Sequence, residues 1–224
     1  MARALVLRHH LEDHPGLIGE ALVARGYRFE VALVDEATPP PSLDGYDLLV
    51  ILGSKNAVYD EDVQMSWFGR ELALMSDAEV RDIPILGICF GAQALCVFHG
   101  GEVVPSDRPE IGWYEVEEIN GSGISTGPWF EYHYDRCELP AEAEVWARSA
   151  SAVQAFAIGR HVGVQFHPEV DHEQLTDWFE ADDDVREFGV DVEQLIAETE
   201  ERTPAARLRA QALVDQFLNY VKLH

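Results

Sequence analysis

The sequence predicts an α/β domain with a mostly parallel sheet that helices cover on both faces. Its first half alternates short apolar runs with segments of helical spacing, in a β-α-β-α-β order. The runs over residues 47–53 and 83–89 are almost continuously apolar, which is typical of strands buried on both faces. The 224 residues are 47% hydrophobic, which is enough for one sizeable core. We therefore expect a single domain over residues 1–224.

The elements of the first half have local signals of their own. The segment over 15–26 has helical spacing at Leu17, Ala21 and Leu22, and Gly26 is a stop signal. The predicted elements are strand 3–9, helix 15–26, strand 27–34, a rigid proline-rich loop over 37–46, strand 47–53, helix 60–82 and strand 83–89.

The middle of the chain changes to short strands separated by turns. These strands form either an antiparallel section or mixed additions to the main sheet. The predicted strands are 110–119, 144–150, 152–159 and 161–167.

The last part of the chain is helical, with an extension over about 185–224. Capping boxes pair Asp171 with Gln174 and Asp191 with Gln194. Thr203-Pro204 predicts the start of a further helix, because threonine caps helices and proline favours their first position. Its apolar residues recur with a spacing of 4-3-4 and predict a face packed on the domain: Ala210, Val214, Phe217 and Val221.

Charge and cysteine content exclude several classes of function. The net charge of -25 repels phosphate backbones and anionic lipid, so neither nucleic acid nor a membrane surface is an expected partner. No apolar stretch reaches the roughly 18 residues that span a bilayer, and the N-terminus is too polar for a signal peptide. The three cysteines, Cys89, Cys96 and Cys137, predict neither a disulfide framework nor a metal site. The cytoplasm is the expected compartment.

The stretch "PILGICFGAQAL" predicts a strand, a tight turn and a helix, with Cys89 in the turn. The strand leaves Cys89 at the carboxyl edge of the sheet, where open α/β folds bind ligands. A helix that begins near Phe90 favours the nucleophilic thiolate through its N-terminal dipole. Gly87 and Gly91 remove side chains where the backbone is crowded, as in the G-x-S-x-G elbow of serine hydrolases.

A cysteine nucleophile needs a base, and nine histidines are candidates. His9 and His10 end the first strand, whereas His167 ends a later strand and precedes Pro168. Residues before proline are extended, so Glu169 shares a face with His167 and can orient its ring. The segment "VQFHPEV" therefore completes a Cys89–His167–Glu169 triad.

These motifs resemble the class I glutamine amidotransferase family, in a stand-alone form similar to the amidotransferase domain of GMP synthase. The resemblance covers most of the chain and rests on the order and spacing of "VILGSKNAVYDED", "GICFGAQAL", "PEIGW", "VQAF" and "GVQFHPEV". It implies a flavodoxin-like α/β domain that removes the side-chain amide of glutamine. No cofactor is implied.

The resemblance also implies the roles of individual residues. Cys89 is the nucleophile that forms a γ-glutamyl thioester, His167 is the general base and then acid, and Glu169 orients the histidine. The oxyanion hole takes one backbone N–H from Phe90 and one from the glycine loop, at Ser54.

The glycine loop departs from the family pattern. The usual Gly-Gly-Pro is Gly53-Ser54-Lys55 in this chain. If the second position needs glycine-like backbone angles, serine adopts them at a cost of about 1–3 kcal/mol. Either the loop is re-aimed, the hole forms only with substrate bound, or the loop tolerates serine without consequence.

The substrate contacts implied by the resemblance involve Gly53, Gln93 and a loop over 132–135. Tyr132 and Tyr134 in that loop either narrow or cover the pocket, or pack at a strand end. His133 and Asp135 are expected to form a structural hydrogen-bonded pair.

Three functions remain open from the sequence. The first is a glutamine-hydrolysing subunit that supplies ammonia to a partner synthase. The second is a hydrolase of other γ-glutamyl amides or peptides, and the third is a binding or regulatory protein without activity. The residues of the triad favour the first two.

Overall fold

A sheet of eight strands organises the part of the chain that the computed structural model describes, residues 1–35, 40–181, 185–186 and 189–223. The strands are β1 (Arg3–Arg8), β2 (Arg28–Leu33), β3 (Leu48–Ile51), β4 (Ile85–Ile88), β5 (Glu102–Tyr114), β6 (Glu117–Glu118), β7 (Trp129–Glu138), β8 (Glu144–Arg148), β9 (Val153–Ile158) and β10 (His161–Val164). The helices are α1 (Gly16–Ala24), α2 (Glu61–Met65), α3 (Phe68–Val80), α4 (Phe90–Phe98), α5 (His172–Ala181) and α6 (Val192–Leu223).

The strand order of the main sheet is β2-β1-β3-β4-β10-β9-β8-β6. The first five strands are mutually parallel, and the last three are added antiparallel. The parallel part has the order of a flavodoxin-like fold, which binds ligands at the carboxyl edge of its strands. The predicted fold class is therefore confirmed, with the later strands joining the main sheet as mixed additions.

Two apolar clusters lie on opposite faces of this sheet. Alternate residues of β3 and β4 belong to different clusters, and every residue of both strands is buried. Helices α1 and α6 contribute to one cluster, and α3 and α4 to the other. Burial on both faces explains why these strands are apolar without alternation.

The hairpin of β5 and β7 forms a separate two-stranded sheet. Residues 132–135 were expected in a loop, but they lie inside β7, where Tyr132 pairs with Ile111. The predicted strand over 110–119 is likewise wrong in its bounds, since it is divided between β5 and β6. This pairing joins distant segments, so local pattern alone does not reveal it.

The predicted helix over 60–82 is interrupted. It divides into α2 and α3 at Ser66 and Trp67. The Trp67 ring is buried against the rings of His9 and Phe90, at centroid distances of 4.8 and 5.4 Å. The interruption of the helix at Ser66 and Trp67 accompanies the burial of the Trp67 indole. The helical spacing of the sequence does not reveal this interruption.

The C-terminal helix is one element that packs on α1, and its apolar face is buried as predicted. Asp171 and Asp191 cap α5 and α6 as predicted, since each accepts a backbone N–H at 3.0 Å. The reciprocal bond of the capping box is not formed at Gln174, whose side-chain atoms have no hydrogen-bond partner among the described residues. The helix start predicted at Thr203-Pro204 is wrong, because α6 continues through both residues. The Thr203 hydroxyl bonds to the Thr199 carbonyl at 2.7 Å, as in a helix interior.

None of the described helices combines the length and apolar character needed to cross a membrane. Residues 37–39 of the predicted loop, and 187, 188 and 224 of the predicted extension, lie outside the described residues.

The burial of α6 predicts a large difference between two substitutions on this helix. Phe217→Ala should lower the free energy of unfolding by about 3–5 kcal/mol, because it empties a fully buried site. Leu208→Ala is the matched control, since Leu208 is exposed, and should change it by about 0.5 kcal/mol or less. Urea unfolding measures both values. Similar losses in the two variants would contradict the packing of α6 on the sheet.

Candidate active site

Cys89 occupies a strained turn between β4 and α4. Its φ of 49° and ψ of -103° lie where a side chain costs about 1–3 kcal/mol. A Cβ at Gly87 would lie 2.4 Å from the Gly91 carbonyl oxygen, and one at Gly91 would lie 2.2 Å from the Ile51 carbonyl oxygen. Both glycines are therefore required by backbone crowding, as predicted.

The Cys89 backbone and sulfur are held by neighbouring strands. The Cys89 N–H donates to the Val164 carbonyl of β10 at 2.8 Å. The Gln165 side-chain amide donates to Sγ at 3.5 Å, and the thiol faces the Tyr132 carbonyl oxygen at 3.9 Å. The sulfur also lies at the mouth of α4, since Phe90 is the first residue of that helix. The Gln165 amide and the beginning of α4 thus both face the sulfur.

His167 and Glu169 form a buried pair, with Nδ1 donating to the Glu169 carboxylate at 2.7 Å. Burial alone would lower the pKa of His167, but the Glu169 carboxylate and the Cys89 sulfur raise it well above its ordinary value. In the described part of the chain Nε2 makes no hydrogen bond. The Trp178 ring stands edge-on to the imidazole, with centroids 5.1 Å apart.

Gly53 brings the glycine loop to the same point. A Cβ at this position would lie 3.0 Å from Cε1 of His167 and 3.7 Å from Cβ of Cys89. The strand ends of β3, β4 and β10 thus meet at one place, as the sequence predicted for Gly53, Cys89 and His167. Glycine is needed at 53 because the histidine ring is so close.

The strain considered for Ser54 is absent. Among described residues other than glycine, positive φ angles occur at Asp82, Cys89 and Asn120, and not at Ser54. The Ser54 hydroxyl lies 3.3 Å from Nε2 of His10, which also accepts the Lys55 N–H at 3.3 Å. Burial lowers the pKa of His10 to about 4, so this ring stays neutral and can accept. The loop therefore accommodates serine without backbone strain.

The predicted substrate residues lie on two sides of the sulfur. Gln93 is buried and donates to the Gln165 side chain at 3.4 Å. Tyr132 presents its carbonyl to Cys89, and its ring lies 6.1 Å from the exposed ring of Tyr134. Sequence analysis missed Gln165, although it stands two residues before His167 in the same extended segment, on a shared face.

His133 and Asp135 form the predicted hydrogen-bonded pair, through the backbone carbonyl of Asp135 rather than its carboxylate. Nδ1 of His133 donates to the Asp135 backbone carbonyl at 2.8 Å, while Nε2 lies 3.2 Å from Glu110 and 3.3 Å from Glu131. The Asp135 carboxylate accepts instead from the Tyr59 hydroxyl at 2.7 Å. Because side chains alternate along β7, 131 and 133 point inward.

His133 balances the negative charge of the buried cluster that it forms with Glu110 and Glu131. Burial lowers the pKa of His133, but the two carboxylates raise it to about 10. Burial raises the pKa of Glu131 to about 7, against the opposing effect of His133. The imidazolium therefore links β7 to β5 through Glu110.

Two groups of three side chains in the described ranges bring metal-ligand atoms within 4.8 Å of one another: Glu79, His99 and His161, and Glu110, Glu131 and His133. Nδ1 of His161 accepts the Ile85 N–H at 3.1 Å, which places the ring proton on Nε2. Oε2 of Glu110 accepts from Ser149 and Gln154, each at 2.8 Å. Protein hydrogen bonds therefore already use atoms that a metal would need.

The chain is similar to known proteins in both sequence and fold. The family model described as Glutamine amidotransferase class-I matches residues 16–182. The glutamine-hydrolyzing GMP synthase of Thermomicrobium roseum is 36% identical over 135 residues, which are 57% of this chain and 24% of the synthase. The chain thus spans about a quarter of that relative. One subunit of the glutamine-hydrolyzing GMP synthase of Ignicoccus hospitalis is 37% identical over 152 residues, which are 64% of this chain and 77% of that subunit.

A solved structure is similar over nearly the whole chain. The crystal structure of a glutamine amidotransferase from Thermotoga maritima has a TM-score of 0.87 and 26% identity. The match covers 96% of this chain and 97% of that one. Helix α6 begins after the last residue that the family model matches. The structural match to the Thermotoga maritima protein nevertheless extends over this part of the fold.

The contacts of His133 predict how its titration responds to a neighbouring charge. Glu131→Gln should lower the pKa of His133 from about 10, because it removes one of two carboxylates that favour the imidazolium. NMR titration of the histidine rings measures this shift, and Glu200→Gln, at an exposed position, is the control. A wild-type His133 that titrates near its ordinary pKa would contradict the proposed charge balance.

Proposed function

The chain belongs to the class I glutamine amidotransferase family, and we propose that it hydrolyses the γ-amide of glutamine and releases ammonia. One observation carries this proposal. Cys89 sits in a strained turn at the mouth of α4, at the sheet edge that also holds the buried His167–Glu169 pair. This is the arrangement of nucleophile, base and orienting group that acyl transfer requires.

In the proposed reaction the Cys89 sulfur attacks the γ-carbonyl carbon of glutamine, and His167 holds the thiol proton. A C–S bond forms while the carbonyl π electrons move to oxygen. The backbone N–H groups of Phe90 and Ser54 receive the negative oxygen. Glu169 keeps the ring oriented and stabilises its positive charge, in line with the raised pKa of His167.

The tetrahedral intermediate then collapses. The C–N bond breaks, and the amine leaves as ammonia with the proton from His167. Water attacks the remaining γ-glutamyl thioester while His167 takes a proton from it. The C–S bond breaks, glutamate is released, and the proton returns to Cys89.

In this proposal the ammonia passes to a separate synthase protein that acts as its acceptor. The support is the similarity to one subunit of a GMP synthase, of which the matched segment covers 77%. The test is to measure ammonia release from glutamine by the chain alone and with a candidate synthase present. Stimulation by the synthase supports a role in such a complex, whereas turnover of other γ-glutamyl amides but not glutamine supports the alternative hydrolase.

Removing members of the proposed triad should have unequal effects. Cys89→Ala and His167→Ala should each lower kcat by roughly 10⁴–10⁶-fold, and Glu169→Ala by less, because an orienting group contributes less than the base. Cys96→Ala is the matched control, since Cys96 is also a buried cysteine and lies further along α4. Wild-type turnover by Cys89→Ala would refute the mechanism.

The absence of strain at Ser54 predicts that the family's usual glycine brings no large gain. Ser54→Gly should change kcat by about threefold or less, because the N–H remains and no unfavourable φ is relieved. Steady-state ammonia release measures the effect. An increase of roughly 100-fold would show instead that serine holds the loop away from its working geometry.

A further inference from the structure

His9 joins the glycine loop to a buried carboxylate. Its Nδ1 lies 2.8 Å from the Gly53 carbonyl oxygen, and its Nε2 lies 2.9 Å from Oε2 of Glu71. Both side chains are almost completely buried. His9 follows the last residue of β1, and Glu71 lies on α3, so the contact spans three separate elements.

Both ring nitrogens of His9 face oxygen atoms. A carbonyl oxygen can only accept, so Nδ1 carries a proton and donates to Gly53. The Glu71 carboxylate accepts from Nε2 when the ring is an imidazolium. Burial alone would lower the pKa of His9, but Glu71 and the Gly53 carbonyl raise it, which fits a doubly protonated ring.

The Gly53 carbonyl belongs to the same peptide unit as the Ser54 N–H. That peptide is trans, since the cis bond in the described part of the chain is Gly127-Pro128. In a planar trans peptide the carbonyl and the N–H point in opposite directions. A hydrogen bond that fixes the carbonyl toward His9 therefore also fixes the direction of the Ser54 N–H.

His9 also touches the other arm of the proposed oxyanion hole. Its ring packs against the Phe90 ring, with centroids 4.8 Å apart, and against Trp67 at the same distance. Phe90 provides the second N–H and begins the helix that carries the sulfur. His9 therefore contacts both residues or peptides that carry the proposed donors.

We infer that His9 is a positioning residue for the oxyanion hole, which it orients through its hydrogen bond to the carbonyl of the Gly53–Ser54 peptide. The inference rests on the proposed function, because it assigns a role within that reaction. His9 does not touch the reacting atoms in this account. Its effect is on the stabilisation of the oxyanion rather than on the binding of glutamine.

A matched pair of variants separates the two hydrogen bonds of His9. An asparagine amide nitrogen falls near the position of Nδ1, so His9→Asn keeps a donor for Gly53 and loses the Glu71 contact. A glutamine amide nitrogen falls near Nε2, so His9→Gln keeps the Glu71 contact and loses the donor for Gly53. His9→Gln should lower kcat by roughly 10–100-fold with little change in KM, and His9→Asn by about threefold or less.

Alkylation of Cys89 by iodoacetamide distinguishes positioning from general damage. This substitution at a saturated carbon forms no oxyanion, so its rate should be the same in wild type and both variants. Urea unfolding checks that both variants fold. If His9→Gln does not fold, a loss of more than about tenfold in His9→Asn overturns the inference on its own.

A crystal structure of each variant provides a readout that does not need activity. The Gly53–Ser54 peptide should be reoriented in His9→Gln and retained in His9→Asn. Equal losses of kcat in the two variants, a parallel loss of alkylation, or an unmoved peptide in His9→Gln would each overturn the inference. If wild type hydrolyses no γ-glutamyl amide, the proposed function fails, while the peptide orientation still tests His9.

Discussion

The close approach of the β4–α4 turn to strand β3 is the constraint on which the site depends. Gly87 pairs with Ile51 across the parallel strands, and a Cβ at Gly91 would overlap the Ile51 carbonyl. This contact sets the beginning of α4 against the end of β3. This contact forces Cys89 into its positive φ. The Cβ of Cys89 lies 3.7 Å from the position that a Cβ on residue 53 would occupy. The hydrophobic packing of both sheet faces supplies the free energy that holds this strained turn.

Contacts between three buried histidines and carboxylates are the second feature that shapes the site. His9 contacts Glu71, and His167 contacts Glu169, while His133 lies between two carboxylates. In each case burial disfavours the charged imidazolium, whereas the neighbouring carboxylate favours it. The net effect is that the pKa of the histidine is raised. Such contacts are costly to bury but directional, and they fix the backbone of the loop, of β7 and of the base. In a chain with a net charge of -25, the ring of His167 and the Gln165 amide thus both face the candidate nucleophile.

The parts of the fold with local signals were predictable, and the parts that depend on distant contacts were not. Continuous apolar runs identified the parallel strands, and Gly87 and Gly91 identified the turn. The β5–β7 pairing joins residues 15 to 36 positions apart, and β6, which lies between them in the chain, belongs to the other sheet. Pro204 suggests a helix start because its signal is purely local. The helix continues through Pro204 because α6 is buried against the rest of the domain, which is a tertiary effect. His9 gave no sequence signal, since its partner Glu71 is 62 positions away.

The most direct test of the central claim is to trap the covalent intermediate. Wild-type protein is mixed with glutamine, quenched in acid during turnover, digested and examined by mass spectrometry. The account predicts one γ-glutamyl group in thioester linkage on the peptide that contains Cys89, which disappears when glutamine is exhausted. Ammonia release with this peptide unmodified at every time, or with the γ-glutamyl group on another residue, would contradict it.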